Sequence, residues 1–427
     1  MRCTEFSSRC SSRIEERDRW LGVLGLALLV LVGYAIYTLQ QVQARGVFEY
    51  VGIDFRLFYA SGQIAREHGL RGVYDPGLQA MYQKPLYEHF ARFVEGVSLP
   101  FWALPLPYLP LFVAPFMLLP LLPPLPAFLL WVGVTAGGTL AYLYVWVRRL
   151  SFDWAASVAA VALFLSSANF LNLLFGQVNL LLLIAVGEAL FNLQRGRAGR
   201  AGGWLALGWI KPQMILLLAL AVAVVRRNRR FGAGFLAGSL GVAAASYALG
   251  GWESLREVLV SVQRWPALLR HSGMTWLSAV DHFVARGLPL GLALGIGILI
   301  VGVVLWAWWE ILRAAGHREE AATWAEIFLI TLATQAIAMP HGNVHMALAL
   351  GIPWMVVLHQ HSHEGVWWAL GVAWTLWSGV ILVLYGLCSA GYAHDVLGML
   401  MLLIHVALLA FFYRTWRIQT VLQAPGS

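Results

Sequence analysis

The sequence predicts an all-α polytopic membrane protein, and two observations carry that prediction. Of the 427 residues, 60% are hydrophobic and only 12% are charged, whereas about a quarter of the residues in soluble domains are charged. Apolar runs long enough to cross a hydrocarbon core of roughly 30 Å recur from one end of the chain to the other. Examples of these runs are Leu21–Leu39, Leu125–Val147, Gln177–Leu193, Phe231–Leu249, Leu288–Leu312, Trp367–Leu387 and Val396–Tyr413.

The charge distribution fits a membrane environment and argues against a nucleic-acid partner. The chain carries 29 Lys and Arg residues against 21 Asp and Glu residues, a net charge of +8. The cations cluster at the ends of the apolar runs, where they set topology and contact the headgroups of membrane lipids. No soluble-looking segment holds a basic stripe with interleaved aromatic residues. The three cysteines, Cys3, Cys10 and Cys388, are too scattered for a disulfide framework or a metal site.

The apolar runs indicate one membrane domain with two long external loops. At roughly 20 residues per crossing, we predict about 11–13 transmembrane helices within residues 20–413, flanked by cytoplasmic tails at 1–19 and 414–427. The first apolar run is an uncleaved helix, because no small-residue cleavage site follows it. Residues 41–97 form the first external loop, with amphipathic helices that lie on the outer surface. Residues 251–287 form the second.

The positive-inside rule assigns the two sides of the membrane. It places the basic segment 226–230 and the C-terminus in the cytoplasm, and it places 340–345 outside together with Asp54. The basic clusters 195–200 and 226–230 are separated by only one span length. Either one cluster faces outward, or the segment between them is a hairpin of two short helices broken at Lys211-Pro212.

Asp54 is the first candidate for chemistry. It follows the first apolar run and lies in the apolar and aromatic stretch "VGIDFRLFYASGQ". A carboxylate so placed can accept a proton from a hydroxyl group as a general base. Burial would raise its pKa and the nearby Arg56 would lower it, so Arg56 is either this ion partner or a phosphate ligand. The alternative is that Asp54 only caps, or pairs on the surface of, the helix starting near Phe58.

Lys211 is the second candidate. In "GWIKPQMILLLAL" it is a single ammonium group within apolar sequence, directly before a helix-breaking proline. Such a cation can bind a phosphate as a point charge, and the helix that begins after Pro212 would add free backbone N–H groups. The alternative is a lysine whose long side chain reaches the membrane interface.

Two further motifs place polar groups within apolar sequence. In "GQVN", Gln177 and Asn179 supply amides that hydrogen-bond sugar hydroxyls or simply join helices. In "MPHGNVH", His341 and His345 are four residues apart and can share a helical face. Because the motif holds neither a third ligand nor an acid, a proton relay, substrate hydrogen bonding or interface polarity is favoured over zinc. The segment "HQHSHEG" at 359–365 is interpreted as a solvated cytoplasmic loop.

Well-known catalytic motifs are absent from the sequence. It contains no P-loop, no GxGxxG, no nucleophile elbow and no HExxH. This argues against nucleotide-driven chemistry and leaves transport, or group transfer from a lipid-linked donor.

The order of the motifs is that of a known family. "GIDFRLFYASGQIAREHGLRGVYD" is followed by the proline-rich "LPYLPLFVAPFMLLPLLPPLPAFLLW", then by "FGQVNLLLLIAVGEAL", "GGWLALGWIKPQMILLL" and "RRNRR", and finally by "MPHGNVHMALAL". Over residues from about 20 to 360 this series resembles the polyprenyl-phosphate-dependent mannosyltransferases, glycosyltransferase family 87 of the GT-C superfamily. The chain departs from the family in reading "YLP" for "YPP" and in separating His341 from His345.

The resemblance implies a GT-C-type bundle in the plasma (inner) membrane with its active site on the extracytoplasmic side. It implies transfer of a sugar, commonly mannose, from a polyprenyl-phosphate donor to a hydroxyl of a lipid or glycan acceptor, with inversion. Asp54 would be the base. The positions expected to bind the substrates are Arg56, Tyr59, Gln177, Asn179, Lys211, His341 and His345. We expect no metal and no cofactor, because one or two cations can neutralise a monovalent phosphodiester.

A secondary transporter or a lipid-linked sugar flippase is the competing function. A transporter would need ionisable residues at the membrane midplane and repeat symmetry, whereas the ionisable residues here lie mostly at loop edges on one side. In an enzyme, Asp54, His341 or His345, and the loop 251–287 should converge on one external cavity. In a transporter, an axis of alternating access should be visible. An assembly scaffold is a third possibility, and it leaves Asp54 and Lys211 unexplained.

Overall fold

The architecture comes from a computed structural model, which describes residues 23, 25–44, 47–91, 103–264, 273–314, 321–362, 364–372, 374 and 393–422. The tail predicted at 1–19, the three cysteines and His363 lie outside these residues, as do 92–97 of the first loop and 265–272 of the second. Of the tail predicted at 414–427, the part after Leu422 lies outside as well.

Within the described residues the chain is a succession of helices joined by short turns. In chain order they are α1 (Gly25–Ala44), α2 (Ile53–Gly72), α3 (Pro76–Ala91), α4 (Pro110–Leu121), α5 (Pro124–Arg149), α6 (Trp154–Phe164), α7 (Ser167–Phe175), α8 (Asn179–Gln194), α9 (Ala198–Ala206), α10 (Leu216–Val225), α11 (Arg229–Arg264), α12 (Trp276–Ala285), α13 (Leu290–Ala314), α14 (Ala321–Ala338), α15 (Val344–Gln360), α16 (Gly365–Val372) and α17 (Ala393–Leu422).

Five helical segments in the described part are long and apolar enough to cross a membrane: α1, α5, α6 with α7, most of α11, and α13. Shorter apolar helices, among them α8, α14 and α15, pack between them. All residues of 327–337 and 344–358 are buried, whereas α1, α5 and α13 expose large apolar side chains such as Leu29, Leu129 and Leu299. Exposed leucines of this kind suit helices that contact lipid. The predicted all-α polytopic membrane fold is confirmed.

The first long loop contains two helices, α2 and α3, and the first half of α2 is buried whereas residues 66–69 and 71 are exposed. Residues 55–62 are buried, because Phe55, Leu57 and Phe58 project on different sides of the helix and no single apolar face can satisfy them. At Gly62, a side chain would collide with the backbone carbonyl of Phe116 in α4. The glycine therefore lets α2 pack directly on the proline-rich segment, which carries Asp54 into the protein.

The segment between the two basic clusters is a helical hairpin, which is the second of the two alternatives that the sequence left open. Helix α9 leads to a tip at Lys211-Pro212, and α10 leads back. Gly199 of α9 and Gly234 of α11 pack backbone against backbone, with no room for a side chain at Gly234. Because α9 and the start of α11 lie side by side, the basic clusters 195–200 and 226–230 are at the same end of the bundle, and Lys211 is at the other.

Candidate active site

A cavity of about 280 Å³ opens between the start of α2, the tip of the α9–α10 hairpin and the start of α15. Five residues singled out in the sequence lie together on its wall: Asp54, Gln177, Lys211, His341 and His345. They come from four separate parts of the chain, so only the tertiary fold brings them together.

Asp54 lies in the first turn of α2 and is half-buried. The chain enters this helix through Gly52, which has a left-handed backbone with a φ of 74°. The N–H of Gly52 donates to the carbonyl of Leu174 at 2.7 Å. This bond ties the start of α2 to the end of α7, and it holds Asp54 beside the turn that follows α7.

That turn places Gln177 next to Asp54. Gly176 ends α7 with a φ of 70°, and a side chain there would collide with Phe55. Only glycine meets both demands, because it accepts a positive φ and leaves room for the neighbouring helix. The indole N–H of Trp131 donates to the carbonyl of Gly176 at 2.8 Å, which fixes the turn against α5.

Gln177 connects the carboxylate to the cation. The ammonium of Lys211 donates to Oε1 of Gln177 at 2.8 Å, and the side chain of Gln177 also hydrogen-bonds Asp54. Both Gln177 and Lys211 are almost fully buried. The arrangement sets an acid and a base on one wall of the cavity, joined by a neutral amide, so each charged group keeps hydrogen-bonding capacity for a ligand.

Burial dominates the titration of Asp54. It raises the pKa of the carboxyl group, while the hydrogen bond from Gln177 and the charges of Lys211 and Arg56 oppose that shift. A carboxylate whose pKa is raised is, in its ionised form, a stronger proton acceptor than a solvated carboxylate.

The two histidines enter the cavity from the end of α14 and the start of α15. His341 is half-buried, and burial together with the charge of Lys211 lowers its pKa to about 4, so this imidazole is neutral near pH 7. His345 is 2% exposed, and neither ring nitrogen has a hydrogen-bond partner among the described residues. A buried imidazole without partners costs free energy unless a ligand supplies them. No group of three or more His, Cys, Asp or Glu in the described residues is placed to hold a metal ion.

Three residues singled out in the sequence do not line this cavity. Asn179 is buried beneath it and donates to the backbone carbonyl of His345 at 3.1 Å. Tyr59 lines a separate pocket on the other side of α2, where its hydroxyl donates to the carbonyl of Leu122 at 2.9 Å. The guanidinium of Arg56 lies 5.8 Å from the ring centre of Tyr87. A role in substrate binding stays a prediction for all three.

The surroundings of Arg56 favour one of its two suggested roles. Its charge interacts with those of Asp54 and Glu49, and burial lowers its pKa to about 10. At that value the guanidinium is still charged at neutral pH. These interactions favour the role of ion partner, in which the charge of Arg56 lowers the pKa of Asp54.

Some cavity residues were not singled out in the sequence. Tyr108 lies in the proline-rich stretch before α4, and both burial and the nearby Asp54 raise its pKa well above the usual value. Gln213 and Asn343 also line the cavity. The one available signal was a tyrosine between prolines in "LPYLP". Nothing distinguishes Gln213 and Asn343 from other amides near helix ends.

The second long loop reaches the cavity's edge. The N–H of Met274 donates to the carbonyl of Gly342 at 2.8 Å, and Gly273 forms an isolated bridge with Asn343. The loop 251–287 and the segment 340–345 are therefore in contact, as expected for an enzyme site.

The other histidine-rich segment lies at the opposite end of the bundle. The sequence suggested a solvated loop, yet two of its histidines pair with carboxylates. His361 bonds Glu326 through Nε2 and Glu364 through Nδ1, each at 2.9 Å, and it stacks on Trp367. His359 bonds Asp153 at 3.0 Å. These contacts join helices to one another.

Comparison with known proteins agrees with this picture. The model of glycosyltransferase family 87 matches residues 107–340, which include Tyr108, Gln177 and Lys211 of the cavity. Comparison with curated proteins and with solved structures gives no match. The matched region spans more than half of the chain and contains the helical hairpin with Lys211 at its tip. This protein is a member of glycosyltransferase family 87 and hence a membrane glycosyltransferase, consistent with the GT-C superfamily.

Proposed function

We propose that the protein transfers a sugar, mannose by its family resemblance, from a polyprenyl-phosphate donor to a hydroxyl group of a lipid or glycan acceptor, with inversion at the anomeric carbon. The observation that carries this proposal is the grouping of Asp54, Gln177 and Lys211 on one wall of a cavity that His341 and His345 complete. A base and a cation side by side suit a reaction in which a hydroxyl loses a proton and a phosphate leaves.

The reaction can be written as a single displacement. Asp54 takes the proton of the acceptor hydroxyl as its oxygen attacks the anomeric carbon. The bond from that carbon to the phosphate oxygen breaks, and its electron pair stays on the phosphate. The products are the new glycoside, a protonated Asp54 and a polyprenyl phosphate with one more negative charge. Lys211 is placed to stabilise that developing charge.

The size of the cavity supports a compact reacting group. Ligand pockets commonly span about 300–1,000 Å³, and this one has about 280 Å³. That volume suits one sugar ring and a phosphate. The polyprenyl chain and the rest of the acceptor would extend beyond it, the chain toward the proline-rich segment and its neighbours.

The distribution of cations supports an external active site in the plasma membrane. The basic clusters 195–200 and 226–230 both lie at the end of the bundle opposite to the cavity, as does Arg149 at the end of α5. Under the positive-inside rule that end faces the cytoplasm, so the cavity would face outward. The convergence of Asp54, the histidines and the loop 251–287 is also what an enzyme, rather than a transporter or flippase, would need.

The test uses the full-length protein reconstituted in liposomes with radiolabelled polyprenyl-phosphate mannose and, separately, polyprenyl-phosphate glucose. A membrane extract containing the native glycolipids serves as the acceptor source. We expect the wild-type protein to move label from the mannose donor into a glycolipid product. The Asp54→Asn variant should transfer no label from the same donor. If the wild-type protein transfers no label from either donor, the proposed donor class is wrong.

A further inference from the structure

Turn hydrogen bonds hold the tip of the α9–α10 hairpin itself, but the start of α10 just after it needs partners from elsewhere in the chain. Lys211 is non-helical (φ −142°, ψ 75°), and the following proline cannot donate a hydrogen bond. Helix α10 begins shortly afterwards, so its first N–H groups have no partner within the helix. In a buried position these groups must find other partners, or the conformation that holds Lys211 is costly.

Gln335 supplies the missing partners. It comes from α14 and is completely buried. Its Oε1 accepts from the N–H groups of Leu217 at 3.1 Å and Leu218 at 3.3 Å, and its Nε2 donates to the carbonyl of Gln213 at 2.6 Å. One side chain therefore fastens the chain segment that follows Lys211 at three points.

We propose that Gln335 is a positioning residue that holds Lys211 at the cavity wall. The inference rests on the proposed function, since it assigns Lys211 to the donor phosphate. Gln335 does not line the cavity, and it acts through the backbone that carries the ammonium. Without its three hydrogen bonds the tip can shift, and the bond from Lys211 to Gln177 is lost or weakened.

The chemistry of the site explains why an amide is needed. The segment after Lys211 offers two N–H donors and one carbonyl acceptor. A single glutamine side chain supplies both the oxygen that accepts and the N–H that donates. Glutamate would keep the acceptor but lose the donor, and methionine, with nearly the same length, would lose both. The neighbouring Thr334 is equally buried, and its hydroxyl has no partner among the described residues. It therefore provides a matched control on the same helix.

The first experiment measures the KM of the donor in Gln335→Met, Gln335→Glu and Thr334→Val. We expect Gln335→Met to raise the donor KM about tenfold, the effect of losing hydrogen bonds worth about 1.4 kcal/mol, with a smaller rise for Gln335→Glu and none for Thr334→Val. In the Lys211→Ala background, Gln335→Met should add almost nothing, because both changes act through one group. If the donor KM of the double variant rises by the product of the two single-variant factors, the proposal is overturned.

A second experiment does not depend on the reaction. Acetic anhydride acylates accessible amines, and mass spectrometry of the peptide containing Lys211 measures the rate. We expect faster acylation of Lys211 in Gln335→Met and, to a lesser degree, in Gln335→Glu. If the methionine variant does not accumulate in the membrane, the glutamate variant alone provides the test. Thr334→Val should match the wild type. Unchanged acylation in both Gln335 variants would refute the positioning role, whereas a wild type without transfer activity would refute only the proposed function.

Discussion

The two ends of the bundle handle charge in opposite ways. At the end away from the cavity, charged side chains pair with one another: Arg149 lies 2.6 Å from Glu188, and His361 bonds two glutamates. At the cavity, Lys211 donates to a neutral amide, and the ring nitrogens of His345 have no hydrogen-bond partner among the described residues. The same kinds of residue occur at both ends, so residue type alone does not tell structure from function.

The difference has a physical basis. Paired charges satisfy each other and stabilise the contact between helices, at a modest gain in free energy. Polar groups held in a low-dielectric site without full pairing are costly to the fold, but they interact strongly with a ligand that brings the complementary groups. Incomplete pairing also occurs away from the cavity, as at Thr334, so it supports the proposed reacting site only together with the grouping of Asp54, Lys211 and the two histidines on one wall. Four experiments test this contrast.

The largest effect is expected at Asp54. Asp54→Asn removes the base but keeps the shape of the side chain, so kcat should fall by about 10²- to 10⁴-fold with donor binding retained. The matched control is Asp153→Asn at the opposite end, where asparagine caps α6 as well as aspartate does. This control should transfer at the wild-type rate. Turnover of Asp54→Asn at the wild-type rate would exclude Asp54 as the base.

The next effect is expected at Lys211. Loss of a charged hydrogen bond costs about 1.5–3 kcal/mol, so Lys211→Ala should raise the donor KM about 10- to 100-fold. Initial rates over a range of donor concentrations measure this change. The exposed Lys84 on α3 is the control, and Lys84→Ala should leave the donor KM unchanged. If donor affinity survives in Lys211→Ala, the phosphate lies elsewhere.

A pair of histidine variants tests the contrast directly. His345→Leu removes a buried imidazole without partners, so the melting temperature should hold or rise while transfer falls. His361→Leu removes two contacts with carboxylates and leaves the partly buried Glu326 without them. It should cost about 1–3 kcal/mol of unfolding free energy with the donor KM unchanged. Thermal unfolding and transfer assays on both variants measure these changes. If His345→Leu destabilises the fold and His361→Leu lowers transfer instead, the contrast between the two ends is wrong.

The smallest effect is a shift in the pH profile. Asp54 must be ionised to act as base, so kcat/KM should rise with pH through the pKa of Asp54. Because burial raises that pKa, the acidic limb should lie above the usual range for aspartate. Lys211 lowers the same pKa through its charge. In Lys211→Ala, the acidic limb of the pH profile, measured on the activity that remains, should therefore move to higher pH. A limb that stays in place would show that another group controls it.

Part of this site could be predicted from the sequence because of simple physical costs. A lone carboxylate in an apolar run and a lone ammonium before a proline are expensive to bury, so Asp54 and Lys211 were visible as candidates. Asn179 shows the limit of the same reasoning. An amide beside an apolar helix can face a ligand or a neighbouring backbone, and here it bonds the carbonyl of His345. The direction of a side chain depends on partners far away in the chain.

Gln335 and Tyr108 are residues near the site that sequence reasoning did not identify. Gln335 is one polar residue in an apolar helix, and its partners lie more than a hundred residues earlier. Tyr108 precedes α4 in a stretch whose prolines predict irregular backbone but give no direction. Neither could be placed near Asp54 or Lys211 without the packing of α2, α4 and α14.

Hydropathy and charge placement by themselves determined that this chain is an all-helical membrane protein, because apolar length and cation position are properties of local sequence. The ordered motifs added the family. Only the tertiary structure decided that the two basic clusters share one end, that Lys211 is the tip of a hairpin, and that Gln177 bonds both Asp54 and Lys211. Those facts depend on contacts between residues distant in sequence, where a glycine such as Gly62, Gly176 or Gly234 permits a close approach that no local pattern encodes.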